Sequence, residues 1–219
     1  MLPFTHAQFL EVFATYNEAV WPSQIVSYMV AAAMLGSLLL MKSTLGGRII
    51  SAGLSLMWLW TGIAYHWLQF TTINQAAWAF GALFVLQGLL FLFASVRGLL
   101  RFEAPISKAS LWVGWGLIVY ASVLYPLFGA AMGSGYPEIP MFGITPCPVT
   151  LFTFGFLVLS SAKVAWWLLV IPVAWTLVGG SAAFLLHVPQ DWPLLVSGLT
   201  AFLIARNGRS PVLQPLSQG

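Results

Sequence analysis

The feature that most constrains this chain is a succession of long apolar runs separated by short polar breaks. A helix needs roughly 20 apolar residues to cross the hydrocarbon of a membrane. Charged residues make up only 6% of the 219 residues, too few to cover the surface of a soluble protein of this size. The sequence therefore predicts an all-α fold, a polytopic membrane helix bundle with seven transmembrane helices. The predicted spans are residues 22–41, 49–70, 76–96, 109–132, 146–162, 164–186 and 190–205.

The whole chain, residues 1–219, is expected to form a single integral membrane domain. No linker and no shift in composition divides it. The helix bundle is expected over residues 20–206, and residues 207–219 form a polar tail that we expect in the cytoplasm.

Lysine and arginine fall only in alternate breaks of this seven-span arrangement. Since positively charged loops stay in the cytoplasm, the N-terminus is predicted outside and the C-terminus inside, as a multi-pass protein of the cell inner membrane. The net charge of +3 is small and spread over the loops, which argues against nucleic acid as a partner. The lipid bilayer is the expected environment. The basic residues are Lys42, Arg48, Arg97, Arg101, Lys108, Lys163, Arg206 and Arg209.

A short amphipathic helix is predicted over residues 5–19, lying along the outer interface. Thr5 and Gln8 fit a capping box, and Phe4 with Phe9 fits the hydrophobic staple that accompanies it. The apolar positions recur at helical spacing and are Phe9, Val12, Phe13 and Tyr16.

All three histidines, four of the five acidic residues and the cysteine lie on the predicted outer side. These side chains bind metals or move protons, but no recognised ligand spacing is present. His66, His187 and Asp191 are candidates for a composite metal site, while catalytic residues and cofactors are left unassigned. The candidate binding residues are His66, Cys147, Glu138, His187, Asp191 and, nearer mid-span, Gln87.

The second run carries small and polar residues on one helical face, which indicates contact with protein or water rather than lipid. His66 is the strongest single candidate on this face, because ionisable residues at membrane depth are functional by default. Its alternative interpretation is an imidazole hydrogen-bonded to a neighbouring helix. The residues of the face are Ser55, Gly62, His66 and Gln69.

The third run repeats small or polar residues every seven positions, a pattern that favours close helix packing. Gln87 lies near the middle of this run. It either lines a path or bonds across helices. The repeated positions are Asn74, Gly81, Gly88 and Ser95.

The stretch "GITPCPVT", residues 143–150, places Cys147 between two prolines at the start of the short fifth run. The cysteine is either a reactive or metal-binding thiol or a small residue at a helix start that the prolines fix. The seventh run is also short and also opens with proline. Because irregular chain at membrane depth occurs only inside protein or beside water, we expect an outward-facing vestibule lined by residues 136–148 and 187–193.

Three stretches together resemble a domain-of-unknown-function family of small polytopic bacterial inner-membrane proteins. They are "YNEAVWPSQ" (16–24), "YHWLQFTTINQAAWAFGALFVLQGLLF" (65–91) and "YPEIPMFGITPCPVTLFTFG" (136–155). The resemblance implies a location and a fold. It implies no activity and no catalytic residue.

Three functions stay open from the sequence. The first is binding or transport of a small solute or ion through the vestibule. The second is an accessory or scaffold subunit of a larger membrane complex, in contact with a partner membrane subunit or a second copy of the chain. The third is a metal-assisted enzyme at the outer leaflet, with Glu138 and Cys147 joining the metal candidates.

Overall fold

The computed structural model describes residues 3–104, 106–133, 135–186 and 188–206. Within these ranges the chain is helical and contains no strand, which confirms the all-α prediction. The α-helices of the described residues are α1 (His6–Ala19), α2 (Ser23–Leu40), α3 (Thr44–Trp60), α4 (Ala77–Arg97), α5 (Lys108–Val119), α6 (Tyr125–Ala131), α7 (Pro146–Leu159), α8 (Trp167–Leu185) and α9 (Trp192–Arg206).

Four helical stretches of the described chain are long and apolar enough to cross a membrane, so the prediction of seven such spans is wrong by this measure. They correspond to the first, third, fourth and sixth predicted spans. The other three predicted spans contain the shorter α-helices α3, α7 and α9, with 17, 14 and 15 residues. The four stretches are Ser23–Leu40, Ala77–Arg97, Lys108–Ala131 and Trp167–Leu185.

Two helical stretches change from α-helical to π-helical hydrogen bonding partway along. The first π-helical segment, Thr61–Trp67, continues α3, and the second, Tyr120–Leu124, joins α5 to α6. A hydroxyl lies at or within each segment and donates to the carbonyl four residues earlier: Thr61 Oγ1 to Met57 O at 2.8 Å, and Ser122 Oγ to Ile118 O at 2.7 Å. Such hydroxyls compete for the carbonyls of the regular helix ladder.

Pro172 lies inside α8 and has no N–H to donate to Leu168 O, four residues earlier. The side chain of Gln87 in α4 supplies the missing donor, with Nε2 at 3.1 Å from Leu168 O. Both Gln87 and Leu168 are fully buried. Of the two interpretations of Gln87, the structure supports the bond across helices.

The same arrangement occurs at Pro126, in the first turn of α6. Pro126 has no N–H to donate to Ser122 O, four residues earlier. The hydroxyl of Tyr28 in α2 donates to that oxygen at 2.8 Å instead. Each proline therefore has a partner side chain from another helix that satisfies the carbonyl it leaves free.

The helix α7 forms the centre of the bundle. Every residue of α7 except Cys147 is buried, as expected of a helix that is apolar on all sides. Gly114 of α5 and Gly155 of α7 allow the two backbones to meet: a Cβ on Gly114 would lie 3.0 Å from Gly155 O. Trp58 of α3 donates its indole N–H to Thr153 Oγ1 at 2.8 Å. Because other helices surround it, α7 need not match the thickness of a membrane.

The predicted small-residue packing of α3 against α4 is confirmed. A Cβ on Gly62 would lie 3.0 Å from Gly81 O, and Ser55 Oγ donates to Gly88 O at 2.8 Å. Ser95, the last position of the seven-residue repeat, donates its hydroxyl to Arg48 O at 2.8 Å. The polar face of the second run thus packs against the small residues of the third.

The chain breaks that carry basic residues meet at one end of the bundle. Arg101 connects three of them: its Nη1 lies 3.1 Å from Thr44 Oγ1, and its carbonyl accepts the Ser161 N–H at 2.7 Å. We call this end the basic end. The first turn of α7 lies at the opposite end, with α1 packed nearby.

Candidate functional site: an aromatic cavity beneath α1

A cavity of about 260 Å³ lies at the end of the bundle opposite the basic end. Its walls come from α1, the π-helical segment Thr61–Trp67, the start of α7, the C-terminal half of α8 and the turn Pro189–Asp191. We call it the aromatic cavity, because eight of the 19 described residues in its wall are phenylalanine, tyrosine or tryptophan. Pro140, Pro146, Cys147 and Asp191 in this wall come from the two stretches in which the sequence predicts a vestibule.

The helix α1 closes the cavity on one side. Its capping box is present, and the stacked rings of Phe4 and Phe9, with centroids 5.9 Å apart, confirm the predicted staple. Phe4, Phe9 and Phe13 line the cavity. Tyr16 anchors the helix by donating to Ile144 O at 2.8 Å. 

The Tyr16 hydroxyl also accepts the Trp60 indole N–H at 2.9 Å. Burial raises the pKa of Tyr16 well above its ordinary value, while the bond from Trp60 lowers it by a smaller amount. The phenol therefore stays protonated and keeps its proton for the Ile144 carbonyl.

Three of the predicted site residues meet in the cavity wall: His66, Cys147 and Asp191. Gln87 is not part of this wall, since its side chain serves the carbonyl of Leu168. His187, which is also a predicted metal ligand, lies outside the described residues.

His66 has no hydrogen-bond partner for either ring nitrogen in the described part of the chain, although it is 0% exposed. Aromatic rings surround it, with centroids at 4.7 Å for Phe84, 5.2 Å for Tyr65 and 5.2 Å for Trp175. The alternative interpretation, an imidazole hydrogen-bonded to a neighbouring helix, is not supported by these contacts. Because buried polar groups are nearly always hydrogen-bonded, an imidazole without a partner makes this cavity a candidate binding site.

Asp191 is 2% exposed and accepts the Tyr125 hydroxyl at 2.6 Å. The thiol of Cys147, the second residue of α7, lies beside this pair and beside the Trp175 indole. The indole N–H of Trp175 is buried and has no oxygen or nitrogen partner among the described residues, and the Cys147 sulfur is the acceptor beside it. The polar end of the cavity thus combines a carboxyl, a hydroxyl, a thiol, an imidazole and a free N–H donor.

Gly179 in α8 leaves the space between two of these groups open. A Cβ on Gly179 would lie 3.1 Å from Trp175 Nε1 and 3.2 Å from Cys147 Sγ. The same Cβ would lie 2.8 Å from Leu194 Cδ2. Substitution by alanine would therefore place a methyl group at the polar end of the cavity and crowd Leu194, Trp175 and Cys147.

Both π-helical segments contribute to this region. The first contains Tyr65 and His66, and the second directly precedes Tyr125. Tyr120, in the second segment, donates to Gln190 O at 2.9 Å and so holds the turn that carries Asp191. Short π-helical segments inside α-helices are frequent at functional sites, because the extra residue redirects the side chains that follow.

The sequence reasoning missed Trp175, Tyr125 and the phenylalanines of α1 as cavity residues. Tryptophan and tyrosine in an apolar run are typical of both lipid-facing surfaces and cores, so their residue type alone does not distinguish the two. A usable signal is that a buried indole N–H or phenol needs a partner. That rule applies to Trp175 and Tyr125 only once their burial is known from the folded bundle, so the sequence alone does not single them out.

Glu138 is exposed and lies in the wall of a second cavity of about 150 Å³ that also includes His6. The two cavities share Phe9, Phe13 and Pro140 in their walls. Glu138 therefore does not line the aromatic cavity together with His66, Cys147 and Asp191.

No group of three histidine, cysteine or acidic side chains in the described ranges is arranged to hold a metal ion. His66 and Asp191 share a cavity, but the third candidate, His187, is outside those ranges, so the metal site stays a prediction. The arrangement that is described can bind a small molecule through hydrogen bonds and aromatic contacts.

Comparison with known proteins identifies the family of this chain. A model of DUF6064, a family of unknown function, matches residues 6–211. The chain belongs to this family. The resemblance to a domain-of-unknown-function family is thereby confirmed. No curated protein and no solved structure matches the chain. Function is therefore argued from the cavity and its side chains.

Proposed function

We propose that this chain is a multi-pass membrane protein that binds a small solute in the aromatic cavity. The observation that carries the proposal is His66, which is fully buried and lines the cavity with both ring nitrogens unpartnered in the described chain. A concave, mostly apolar pocket with a few convergent polar groups is the usual form of a small-molecule site. Leaving a polar group buried without a partner costs about 1–3 kcal/mol, which a bound solute would recover.

The proposal places the basic end in the cytoplasm and the aromatic cavity on the outer side of the inner membrane. It is supported by four helices of sufficient length and apolar character, and by the basic residues gathered around Arg101. Reporter fusions test this orientation. A fluorescent protein at the C-terminus should be fluorescent, and alkaline phosphatase inserted near Gly133 should be active. The opposite pattern would reverse the membrane orientation and place the cavity inside.

Binding is tested by thermal unfolding of the purified protein with a panel of small solutes of different charge and polarity. A ligand present at 100 times its Kd stabilises a protein by about 2.7 kcal/mol. The stabilisation should be lost in Gly179→Ala, which fills the polar end, and in His66→Phe, which removes both ring nitrogens.

The matched control is Gly116→Ala in α5. A Cβ on Gly116 would meet nothing within 4 Å, so this variant should respond to solutes like the native protein. If no solute stabilises the native protein, or if the cavity variants respond as strongly as the control, the cavity is not a binding site. Uptake by proteoliposomes then separates a transporter from a protein that only binds.

A further inference from the structure

We infer that the ligand of the aromatic cavity is a neutral, lipophilic molecule with one terminal hydroxyl group, and that it enters from the membrane along α8. The inference rests on the proposed function and specifies the chemistry of the ligand and its route. Three features of the described residues carry it: the position of the exposed wall residues, the donors and acceptors at the polar end, and the absence of a cationic group.

The exposed part of the cavity wall lies entirely on α8. Of the residues that line the cavity, three are exposed, and they are Val178, Ser181 and Leu185. Their spacing of three and four places them on one face of the helix. Since α8 is one of the four helices apolar enough to cross a membrane, this face would meet hydrocarbon. A ligand that uses this opening must be soluble in the lipid.

The inner wall suits an apolar body. Phe70 and Phe80 join the phenylalanines of α1 in the wall, and the ring centroids of Phe80 and Trp175 are 5.4 Å apart. No acidic side chain other than Asp191 lines the cavity in the described chain. Asp191 already accepts the Tyr125 hydroxyl through one oxygen.

The polar end suits a hydroxyl group. A hydroxyl donates one hydrogen bond and accepts up to two, and a neutral imidazole offers one donor and one acceptor. The hydroxyl oxygen can accept the free N–H of Trp175, and the hydroxyl hydrogen can be donated to His66. Among the described wall residues there is no lysine or arginine to neutralise a carboxylate or a phosphate, so an anion would be buried without a counter-charge.

The cavity volume sets the size of the part that is enclosed. A water molecule occupies about 30 Å³ in the liquid, so a cavity of about 260 Å³ holds roughly nine such volumes. A straight-chain alcohol with eight carbons and one oxygen is therefore a suitable probe. A longer chain would extend past Leu185 into the lipid.

The test uses the full chain in phosphatidylcholine nanodiscs with an eight-carbon alcohol that carries a photoreactive diazirine. After illumination, mass spectrometry maps the labelled residues. We expect labels on the cavity segments of α1 and α8, suppressed by excess 1-octanol but not by octanoate or by a short polyol. His66→Phe should lower the labelled fraction by about tenfold or more, since one lost hydrogen bond alone represents that factor. Gly179→Ala should lower it by crowding the polar end of the cavity. Gly116→Ala should leave it unchanged.

Two results would overturn the inference. In the first, octanoate or the polyol suppresses labelling of the cavity as well as 1-octanol does. The cavity would then be a site for other ligands, and the proposed function would stand. Labelling spread over lipid-facing helices and insensitive to 1-octanol would show that the alcohol has no site. The solute panel then decides separately whether the cavity binds anything. Should Gly179→Ala fail to fold, His66→Phe and the competition on the native protein still give the answer.

Discussion

The pairing of Gln87 with the carbonyl that Pro172 leaves free can be tested by a double-mutant cycle. Gln87→Met keeps an unbranched side chain of similar length but removes the donor, so Leu168 O is left buried and unpaired. Pro172→Ala restores a backbone N–H four residues after Leu168. The two substitutions should therefore be strongly coupled, because each changes the number of donors available to one oxygen atom.

The expected magnitude follows from the contacts. An unpaired buried carbonyl costs about 1–3 kcal/mol. Gln87 Oε1 is itself buried without a partner in the described residues, so removing it offsets part of that cost. We expect a net loss of about 1–2 kcal/mol, which lowers Tm by roughly 2–8 °C for a chain of this length. In the Pro172→Ala background the same substitution should cost close to nothing.

The assay is thermal unfolding of the four proteins in one detergent, followed by circular dichroism. Packing lost with the proline ring is common to both members of the Pro172→Ala pair, so the cycle subtracts it. An equal loss for Gln87→Met in both backgrounds would show that Gln87 does not act through the Leu168 carbonyl.

Three further predictions concern stability. His66→Phe should raise the free energy of unfolding by about 1–3 kcal/mol, since it removes unpaired nitrogens and keeps an aromatic ring. The same variant should abolish ligand binding. A loss of stability in thermal unfolding would assign the imidazole a structural role. Tyr16→Phe should cost about 1–3 kcal/mol because it leaves the buried Ile144 carbonyl without its donor and the part-buried Trp60 indole N–H without its acceptor. Tyr136→Phe loses one long bond of 3.4 Å and should cost little. Equal costs for the two tyrosines would contradict the anchoring of α1. Gly114→Ala should cost about 1–3 kcal/mol by crowding α7. Gly116→Ala, two residues away in the same helix and in open space, should be neutral or stabilising. Similar melting temperatures for both variants would exclude the close approach of α5 to α7.

The helices could be located from sequence where local rules decide them. The capping box of Thr5 and Gln8 lies within four residues, and α4 follows a long uninterrupted apolar run, so both were predicted close to their observed ends. The π-helical change at Thr61 could not be predicted in this way. It occurs where the helix packs against α4 through Gly62, a contact between residues distant in the chain.

The sequence predicted those residues of the site whose residue types are rare in this chain. His66, Cys147 and Asp191 stand out in a chain with few ionisable groups, and they do line one cavity. Glu138 stands out equally but lines the second cavity, and its residue type alone does not distinguish the two places. Trp175 carries no distinguishing sequence signal among the 11 tryptophans, and only its unpaired indole N–H in the folded bundle identifies it.

The distribution of satisfied and unsatisfied polar groups is itself an argument for the cavity. Tyr28 and Gln87 each reach another helix to serve a carbonyl that a proline leaves free, over sequence separations of 94 and 81 residues. Six side chains of the described residues keep buried polar atoms without partners. Four of them, Asn17, Ser23, Gln24 and Gln87, lie elsewhere, and only His66 and Trp175 lie in the wall of the aromatic cavity. These two side chains lie 5.2 Å apart between ring centroids, in the wall of one cavity. Polar groups that are left unpaired against the usual rule are expected at functional sites. Two such groups lie here in one cavity wall, where a ligand can supply the missing hydrogen-bond partners.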